Sequence, residues 1–185
     1  MEKTFFTAFN EEIIKALATT DDAMLSSIGE HIKKIIANKK KIIVVGNGGS
    51  AAMASHVAVD FTKAAGCRAI TFNESDLLTC FANDYGYERW VEKALDFYAD
   101  SGDLVIMISS SGKSPNIING VVKAKEMGLT VVTFSGFAAD NPLRQMGDYN
   151  IWIDSKGYNI VEMAHHIWLV SIVDYIVGKI YYTSN

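Results

Sequence analysis

Short apolar runs alternate with longer segments of helical periodicity along most of this chain. The runs have the length of single buried strands, and the segments between them repeat apolar positions at helical spacing. Strands that alternate with helices form βαβ units, so the pattern predicts a mainly parallel sheet with helices on both faces. The predicted strands cover residues 41–45, 68–72, 103–108, 129–134 and 148–153. The predicted helices cover residues 4–37, 51–62, 75–82, 88–98, 115–127 and 159–182.

The first and last predicted helices lie outside this alternation. We expect one domain over residues 1–185, with an N-terminal oligomerisation helix in residues 1–38 and a core with the final helix in residues 39–185. The final helix is apolar on most sides, and one small sheet cannot cover such a helix. We therefore expect a homo-oligomer whose subunits cover it. Its apolar residues are Ile160, Ile167, Trp168, Leu169, Val170, Ile172, Val173 and Ile176.

Composition narrows the class of protein. A length of 185 residues suits one domain, and a net charge of −4 without a Lys/Arg cluster argues against direct nucleic-acid binding. Cys67 and Cys80 lack metal-site spacing and are expected to be reduced thiols of a cytoplasmic protein. The N-terminus does not resemble a signal peptide, and the most apolar segment, residues 167–173, is too short to span a membrane. We expect no membrane partner.

The turn that follows the third predicted strand carries the strongest chemical signal. Four serines, Ser109, Ser110, Ser111 and Ser114, surround a glycine after an apolar run, and a helix begins at Pro115. Serine hydroxyls, backbone N–H groups and the positive end of a helix together hold a phosphate. Ser114 before the proline is also a suitable helix cap. An ordinary polar strand–helix turn needs only one or two of these serines.

A second loop, Gly46-Asn47-Gly48-Gly49-Ser50, follows the first predicted strand, and Ser50 is expected to cap the next helix. This loop can be aligned with a dinucleotide-binding fingerprint, which also requires an acidic residue about 20 positions later. Glu74 comes too late for that role, and no Walker lysine follows the loop. Two separate loops of this kind suit a compact phosphorylated ligand better than a dinucleotide.

Residues 46–51 (Gly-Asn-Gly-Gly-Ser-Ala), His56, residues 83–86 (Asn-Asp-Tyr-Gly) and residues 108–114 together resemble the sugar isomerase (SIS) domain family. The phosphoheptose isomerases are the most similar branch. The resemblance implies a flavodoxin-like three-layer α/β/α sandwich with a five-stranded parallel sheet. It also implies a homotetramer with active sites between subunits, and an aldose–ketose isomerisation of sedoheptulose 7-phosphate through an enediol. A role in lipopolysaccharide or capsule precursor synthesis fits such a relative.

The resemblance assigns ligand-binding roles by position. The serine loop would hold the phosphate, the glycine loop would line the sugar, and Asp84 would belong to the pocket. The alternative role for Asp84 is that of a turn residue, because Asn, Asp and Gly are turn formers. The binding residues implied are Asn47, Gly48, Gly49, Ser50, Asp84, Ser109, Ser110, Ser111 and Ser114.

The chain departs from the isomerase pattern at catalytic positions. Asp60 stands where the isomerases carry Glu, and Val161 and Leu169 stand where they carry Gln and His. The last helix instead holds Glu162, His165 and His166. A Glu and a His on one helix face can act as base and acid. We expect Glu162 to be the base, supported by His165 or His166 and by His56 and Asp60.

Other interpretations of these residues stay open. A Glu in a first helical turn is also stabilised by the helix dipole, and adjacent histidines can have a packing role alone. Some family members hold zinc, for which His56, Asp60, Glu162 and His166 are candidates here; the sequence does not demand a cofactor. The alternative function is a non-catalytic tetramer that binds a phosphosugar or a partner protein, like the relative that binds the bacterial replication initiator. A phosphosugar sensor is a third option, although no DNA-binding segment is attached.

Overall fold

Five parallel strands form the centre of the fold, in the order β2-β1-β3-β4-β5. The structure, a computed structural model, describes residues 3–181. The strand order is that of flavodoxin-like doubly wound folds, so the expected sheet and fold class are confirmed. The strands are β1 (Lys41–Gly46), β2 (Arg68–Thr71), β3 (Leu104–Ser109), β4 (Thr130–Ser135) and β5 (Tyr149–Trp152).

Helices cover both faces of the sheet and make three layers. Alternate residues of β1 show this, because Ile42 packs with one buried cluster and Ile43 with the other. The first cluster is covered by α1, α2, α3 and α7, and the second by α4, α5 and α6. The helices are α1 (Phe5–Leu17), α2 (Asp22–Ala37), α3 (Gly49–Lys63), α4 (Ser75–Tyr85), α5 (Trp90–Tyr98), α6 (Pro115–Glu126) and α7 (Tyr158–Val177).

The prediction of a single N-terminal helix over residues 4–37 is wrong, because the structure has two helices there, α1 and α2. The Asp21 carboxylate accepts a hydrogen bond from the backbone N–H of Ala23 at 2.9 Å and caps the second helix. Apolar spacing continues across the break, so periodicity alone does not reveal it. The cap is the local signal that marks the new start.

The two predicted helix caps beside the ligand loops also need correction. Helix α3 begins at Gly49, and its N-cap is Gly48 with a positive φ of 54°, so Ser50 lies inside the helix instead of capping it. Ser114 does occupy the N-cap position of α6, but its Oγ pairs with Ser109 Oγ at 2.9 Å and not with a backbone N–H. The side chains of Ser50 and Ser114 therefore cap neither helix.

Helix α7 ends at Val177, where Gly178 adopts the left-handed conformation that commonly terminates helices. The predicted end at Tyr182 lies outside the described residues. By length and composition α7 could cross a membrane, unlike the shorter apolar segment considered above. In this fold it is a core helix, since Val161, Leu169 and Val173 are buried against the first cluster.

Topology places the glycine and serine loops side by side. Strands β1 and β3 are neighbours, with Gly46 in register with Ile108, although β2 lies between them in the chain. The chain therefore reverses its winding direction between β1 and β3. Ligands of open α/β sheets bind at this switch point, outside the carboxyl ends of the strands.

Candidate functional site

A small cavity opens where the two loops meet the beginning of α7. Its volume is about 60 Å³, well below the roughly 300 Å³ at which pockets begin to enclose a whole drug-sized ligand. A phosphate group is of a size to fit such a space, and a seven-carbon sugar is not. The lining residues are Asn47, Ser50, Ile108, Ser109, Ser110, Ser111, Ser114, Tyr158 and Glu162.

The serine loop presents hydroxyls that bond mainly to each other. Ser109 Oγ lies 2.9 Å from Ser114 Oγ and 3.5 Å from Ser111 Oγ. Ser110 Oγ is buried and has no hydrogen-bond partner within residues 3–181. Gly112 turns the loop with a φ of 63°, where a side chain would also collide with Asn141. A buried hydroxyl without a partner costs free energy until a ligand supplies an acceptor.

The glycine loop is tied to the helix that follows the serine loop. Asn47 Nδ2 donates to Asn116 Oδ1 at 3.0 Å, and Asn116 Nδ2 donates to Asn47 Oδ1 at 2.8 Å. Tyr87 Oη donates to the same Asn47 oxygen at 3.3 Å. Asn116 is buried in the first turn of α6 and was missed by the sequence reasoning. It holds the two ligand loops in a fixed relation.

Glu162 lies between the glycine loop and the cavity. Its carboxylate is against the backbone of Gly49, the first residue of α3, where the positive end of the helix dipole favours a negative charge. The side chain is half-buried and makes no hydrogen bond within the described chain. A carboxylate beside a phosphate-sized cavity and without a partner is available to a ligand.

Asp60, His56 and His166 form a hydrogen-bonded row across α3 and α7. Asp60 Oδ2 lies 3.2 Å from His56 Nε2, and His56 Nδ1 lies 2.8 Å from His166 Nε2. Burial, and to a smaller extent the charge of His56, lower the pKa of His166 below its ordinary value. His166 also follows Glu162 by one turn on the same face of α7. The structure thus brings four of the five expected catalytic residues to the α3–α7 boundary.

His165 is not among them. It is fully buried, its Nε2–H donates to the carbonyl of Ser135 at 2.9 Å, and its ring packs edge-on against Phe134. Burial lowers the pKa of His165 to about 4, so it is neutral near pH 7. The expectation that either histidine could serve the site is corrected in favour of His166. Helical geometry is the reason, because successive residues point about 100° apart.

Three other sequence positions lie away from the cavity. Asp84 is exposed near the end of α4, where it accepts from Asn83 Nδ2 at 2.9 Å, and it does not line the cavity of its own chain. Val161 and Leu169, which stand where the isomerases carry Gln and His, are fully buried in the first core cluster. Neither of these two can contact a ligand.

The candidates for a zinc site do not fit a metal. Among residues 3–181, no group of three or more His, Cys, Asp or Glu side chains is arranged to hold a metal ion. Both ring nitrogens of His56 already face partners, Asp60 on one side and His166 on the other. A shared zinc would need their lone pairs to converge on one point.

Comparison with known proteins agrees with this geometry. The profile of the SIS domain family matches residues 5–136. A phosphoheptose isomerase of Fusobacterium nucleatum is 34% identical over 152 residues, covering 80% of this chain and 78% of that protein. A probable phosphoheptose isomerase of Thermoplasma volcanium is 34% identical over 158 residues, covering 82% of this chain and 80% of that protein.

Two solved structures share the whole architecture. The phosphoheptose isomerase of Neisseria gonorrhoeae superposes with a TM-score of 0.82 at 25% identity, covering 92% of this chain and 96% of that chain. A phosphoheptose isomerase from Francisella tularensis gives a TM-score of 0.83 at 21% identity, covering 94% and 97% of the two chains, which supports the fold.

Proposed function

This chain belongs to the SIS domain family and is a phosphosugar isomerase, and we propose that it interconverts the ketose and aldose forms of a phosphorylated heptose through an enediol. The observation that carries the proposal is the placement of Glu162, a carboxylate without a hydrogen-bond partner in the described chain, beside a cavity lined by five serines. One end of this site suits a phosphate and the other suits proton transfer.

The substrate would enter with its phosphate first. The phosphate takes the cavity, where it accepts hydrogen bonds from the serine hydroxyls, including the unpaired hydroxyl of Ser110. Because the cavity has a volume of only about 60 Å³, the rest of the sugar must extend out of it. Tyr158, Glu162 and His166 mark one face of α7 at intervals of about 6 Å, and the chain would run along it. The glycine loop, through Asn47, Gly48, Gly49 and Ser50, lines the sugar near its phosphate end.

The reaction moves one proton between adjacent carbons and one between their oxygens. Glu162 removes a proton from C1 of the ketose, the C1–C2 double bond forms, and the negative charge rests on O2. The proton of the O1 hydroxyl is then transferred to O2, and Glu162 returns the first proton to C2 as the C1 carbonyl forms, which leaves the aldose. His166 is assigned the proton transfers at the oxygens, with His56 and Asp60 behind it.

A second copy of this chain is the proposed partner. Large apolar side chains remain exposed on α1, α3 and α7. We propose a homotetramer that buries them, in the cytoplasm and without nucleic acid or membrane, serving lipopolysaccharide or capsule precursor synthesis. Light scattering on the wild type and on Ile167→Glu tests the assembly. The exposed residues are Phe5 and Phe6 of α1, Val59 of α3, and Met163 and Ile167 of α7.

Deuterium exchange followed by NMR tests the reaction. The protein is incubated in D₂O with sedoheptulose 7-phosphate and a panel of other ketose and aldose phosphates. We expect deuterium at the carbon next to the carbonyl together with the isomeric sugar. Glu162→Gln should lower the exchange at least about 100-fold, the lower end of what a positioned base contributes.

The same experiment separates catalysis from binding alone. Line broadening of the phosphosugars without any exchange would contradict the isomerase and favour the non-catalytic phosphosugar-binding tetramer. Exchange that survives Glu162→Gln within a few-fold would leave the isomerase standing and remove Glu162 as its base. Glu126→Gln, at the far end of α6, is the control for loss of a surface carboxylate.

A further inference from the structure

We propose that Asp60 and His56 are positioning residues that hold His166 with its Nε2–H engaged and its Nδ1 free, so that Nδ1 is the atom that exchanges protons with the substrate. The catalytic consequence rests on the proposed isomerase function. The hydrogen-bond arrangement itself does not, because it follows from the geometry of this chain alone.

The carboxylate of Asp60 determines which ring nitrogens of His56 and His166 carry protons. An ionised Asp60 can only accept, so His56 donates from Nε2 across the 3.2 Å separation. A neutral imidazole has one donor and one acceptor, and His56 therefore offers a lone pair at Nδ1. His166 must donate its Nε2–H to that atom over 2.8 Å. The Nδ1 of neutral His166 is left as an acceptor.

The row can also carry a proton without breaking. When His166 Nδ1 accepts a proton from a substrate hydroxyl, its Nε2 proton can pass to His56 Nδ1. The positive charge then resides on His56, in contact with the Asp60 carboxylate, and His166 is neutral again. The reverse transfer returns the proton to the second oxygen of the enediol. No proton is gained or lost over the cycle.

The charges that act on His166 are those of His56 and Asp60, one turn apart on α3. Glu162 is the carboxylate one turn before His166 on its own helix. Asp60 is also about one-third exposed, so its side chain can be changed without opening the core.

Nitrogen-15 NMR of the histidines tests the arrangement directly. The chain has four histidines, so each ring can be assigned by one substitution. We expect His166 to show a bare Nδ1 and a protonated Nε2, with a coupling through the hydrogen bond to His56 Nδ1. A protonated Nδ1 with a bare Nε2 on neutral His166, or no coupling between the two rings, would overturn the proposal whether or not the protein is an isomerase.

Asp60→Asn and Asp60→Glu test the positioning role. Without the anion the charge on His56 loses its stabilising partner, so we expect kcat to fall about 10- to 100-fold with little change in KM. The longer carboxylate of Asp60→Glu should restore most of kcat. An Asp60→Asn variant with wild-type kcat, or an Asp60→Glu variant as impaired as Asp60→Asn, would contradict the role. The buried His165 signal reports in the same spectra that each variant is folded.

Discussion

The carboxylate of Glu162 occupies the space that a side chain at Gly49 would need. A Cβ built on Gly49 would lie 2.8 Å from both Glu162 Cδ and Oε1, closer than real Cβ contacts. Gly49 is the first residue of α3, in ordinary helical conformation, so the conformational freedom of glycine is not required there. The small residue at this point makes room for the carboxylate.

Gly49→Ala should therefore displace Glu162 without unfolding the protein. The clash is with the far end of a flexible side chain, which can move, and alanine is a better helix former than glycine. A displacement of about 1 Å at a catalytic group can cost about 100-fold in rate. We expect that loss in the rate of deuterium exchange, with a melting temperature equal to or above that of the wild type.

Gly66→Ala is the matched control. Gly66 has a φ of 67° and open space around its Cα, so alanine there meets backbone strain and no side chain. It should cost about 1 kcal/mol of stability and leave the exchange rate unchanged. A Gly49→Ala variant with the wild-type rate would show that the carboxylate need not occupy this position.

The unpaired hydroxyl of Ser110 gives a second prediction. Ser110→Ala removes a buried hydroxyl that has no partner in the described chain, so the free protein should be as stable as the wild type or more stable. The phosphate loses one hydrogen bond to a charged group, about 1.5–3 kcal/mol. Calorimetric titration with inorganic phosphate should show affinity reduced about 10- to 150-fold.

Ser135→Ala separates phosphate binding from the general effect of removing a buried hydroxyl. Ser135 is also buried with an unpaired Oγ among the described residues, at the end of the neighbouring strand β4, but it does not line the cavity. Its variant should keep the wild-type affinity for phosphate. Equal losses in both variants would mean that the effect is on the fold around the loops and not on a contact with the ligand.

The sheet and the two ligand loops could be predicted from the sequence because their signals are local. Each strand is one apolar run, and each loop is a continuous cluster of small and hydroxyl residues beside it. The break between α1 and α2 could not be found from periodicity, since the apolar positions on either side of it, Leu17 and Met24, are seven residues apart and so remain in phase. Helix caps were also misplaced where a serine had a second partner available, as Ser114 has in Ser109.

The site was predicted less completely, because its connections are long-range. The bond between His56 and His166 joins residues 110 positions apart and depends on how α3 packs on α7. The sequence reasoning could place both rings near the site but could not choose between His165 and His166. Asn116 was missed because its partner, Asn47, is 69 positions away. No local pattern distinguishes it from any other polar residue in a first helical turn.

The buried histidine makes stability depend on pH. The pKa of His165 is lowered from 6.5 to about 4 by burial. Between these two pH values the His165 ring is therefore protonated in the unfolded chain and neutral in the folded protein. The contribution of the neutral, buried His165 to the free energy of unfolding is therefore full above pH 6.5 and is lost as the pH falls towards 4. Each pH unit in this window is worth about 1.4 kcal/mol, which gives about 2 kcal/mol between pH 6.5 and pH 5.

His165→Gln should remove this dependence while keeping a donor for the carbonyl of Ser135. Urea unfolding at pH 7.5 and pH 5 measures the free energy of unfolding of both proteins. The difference in free energy of unfolding between the wild type and His165→Gln should be about 2 kcal/mol smaller at pH 5 than at pH 7.5. If the two proteins lose stability in parallel on acidification, the burial of His165 is not the cause.

The reciprocal amide pair between Asn47 and Asn116 links the stability of the loops to substrate binding. Asn116→Ala removes both bonds between the two amides and leaves the half-buried Asn47 with Tyr87 as its side-chain partner, and a buried polar group that loses its partner costs about 1–3 kcal/mol. Because Asn47 lines the cavity, the loss should also raise KM for the sugar phosphate, by about tenfold if 1.4 kcal/mol of positioning is lost. Asn119→Ala removes an equal side chain on the same helix, where Asn119 donates to the carbonyl of Glu88 at 2.9 Å and not to a ligand loop. We expect Asn119→Ala to lower the melting temperature and leave KM unchanged. If both variants raise KM equally, the amide pair holds helix α6 and has no separate effect on the glycine loop.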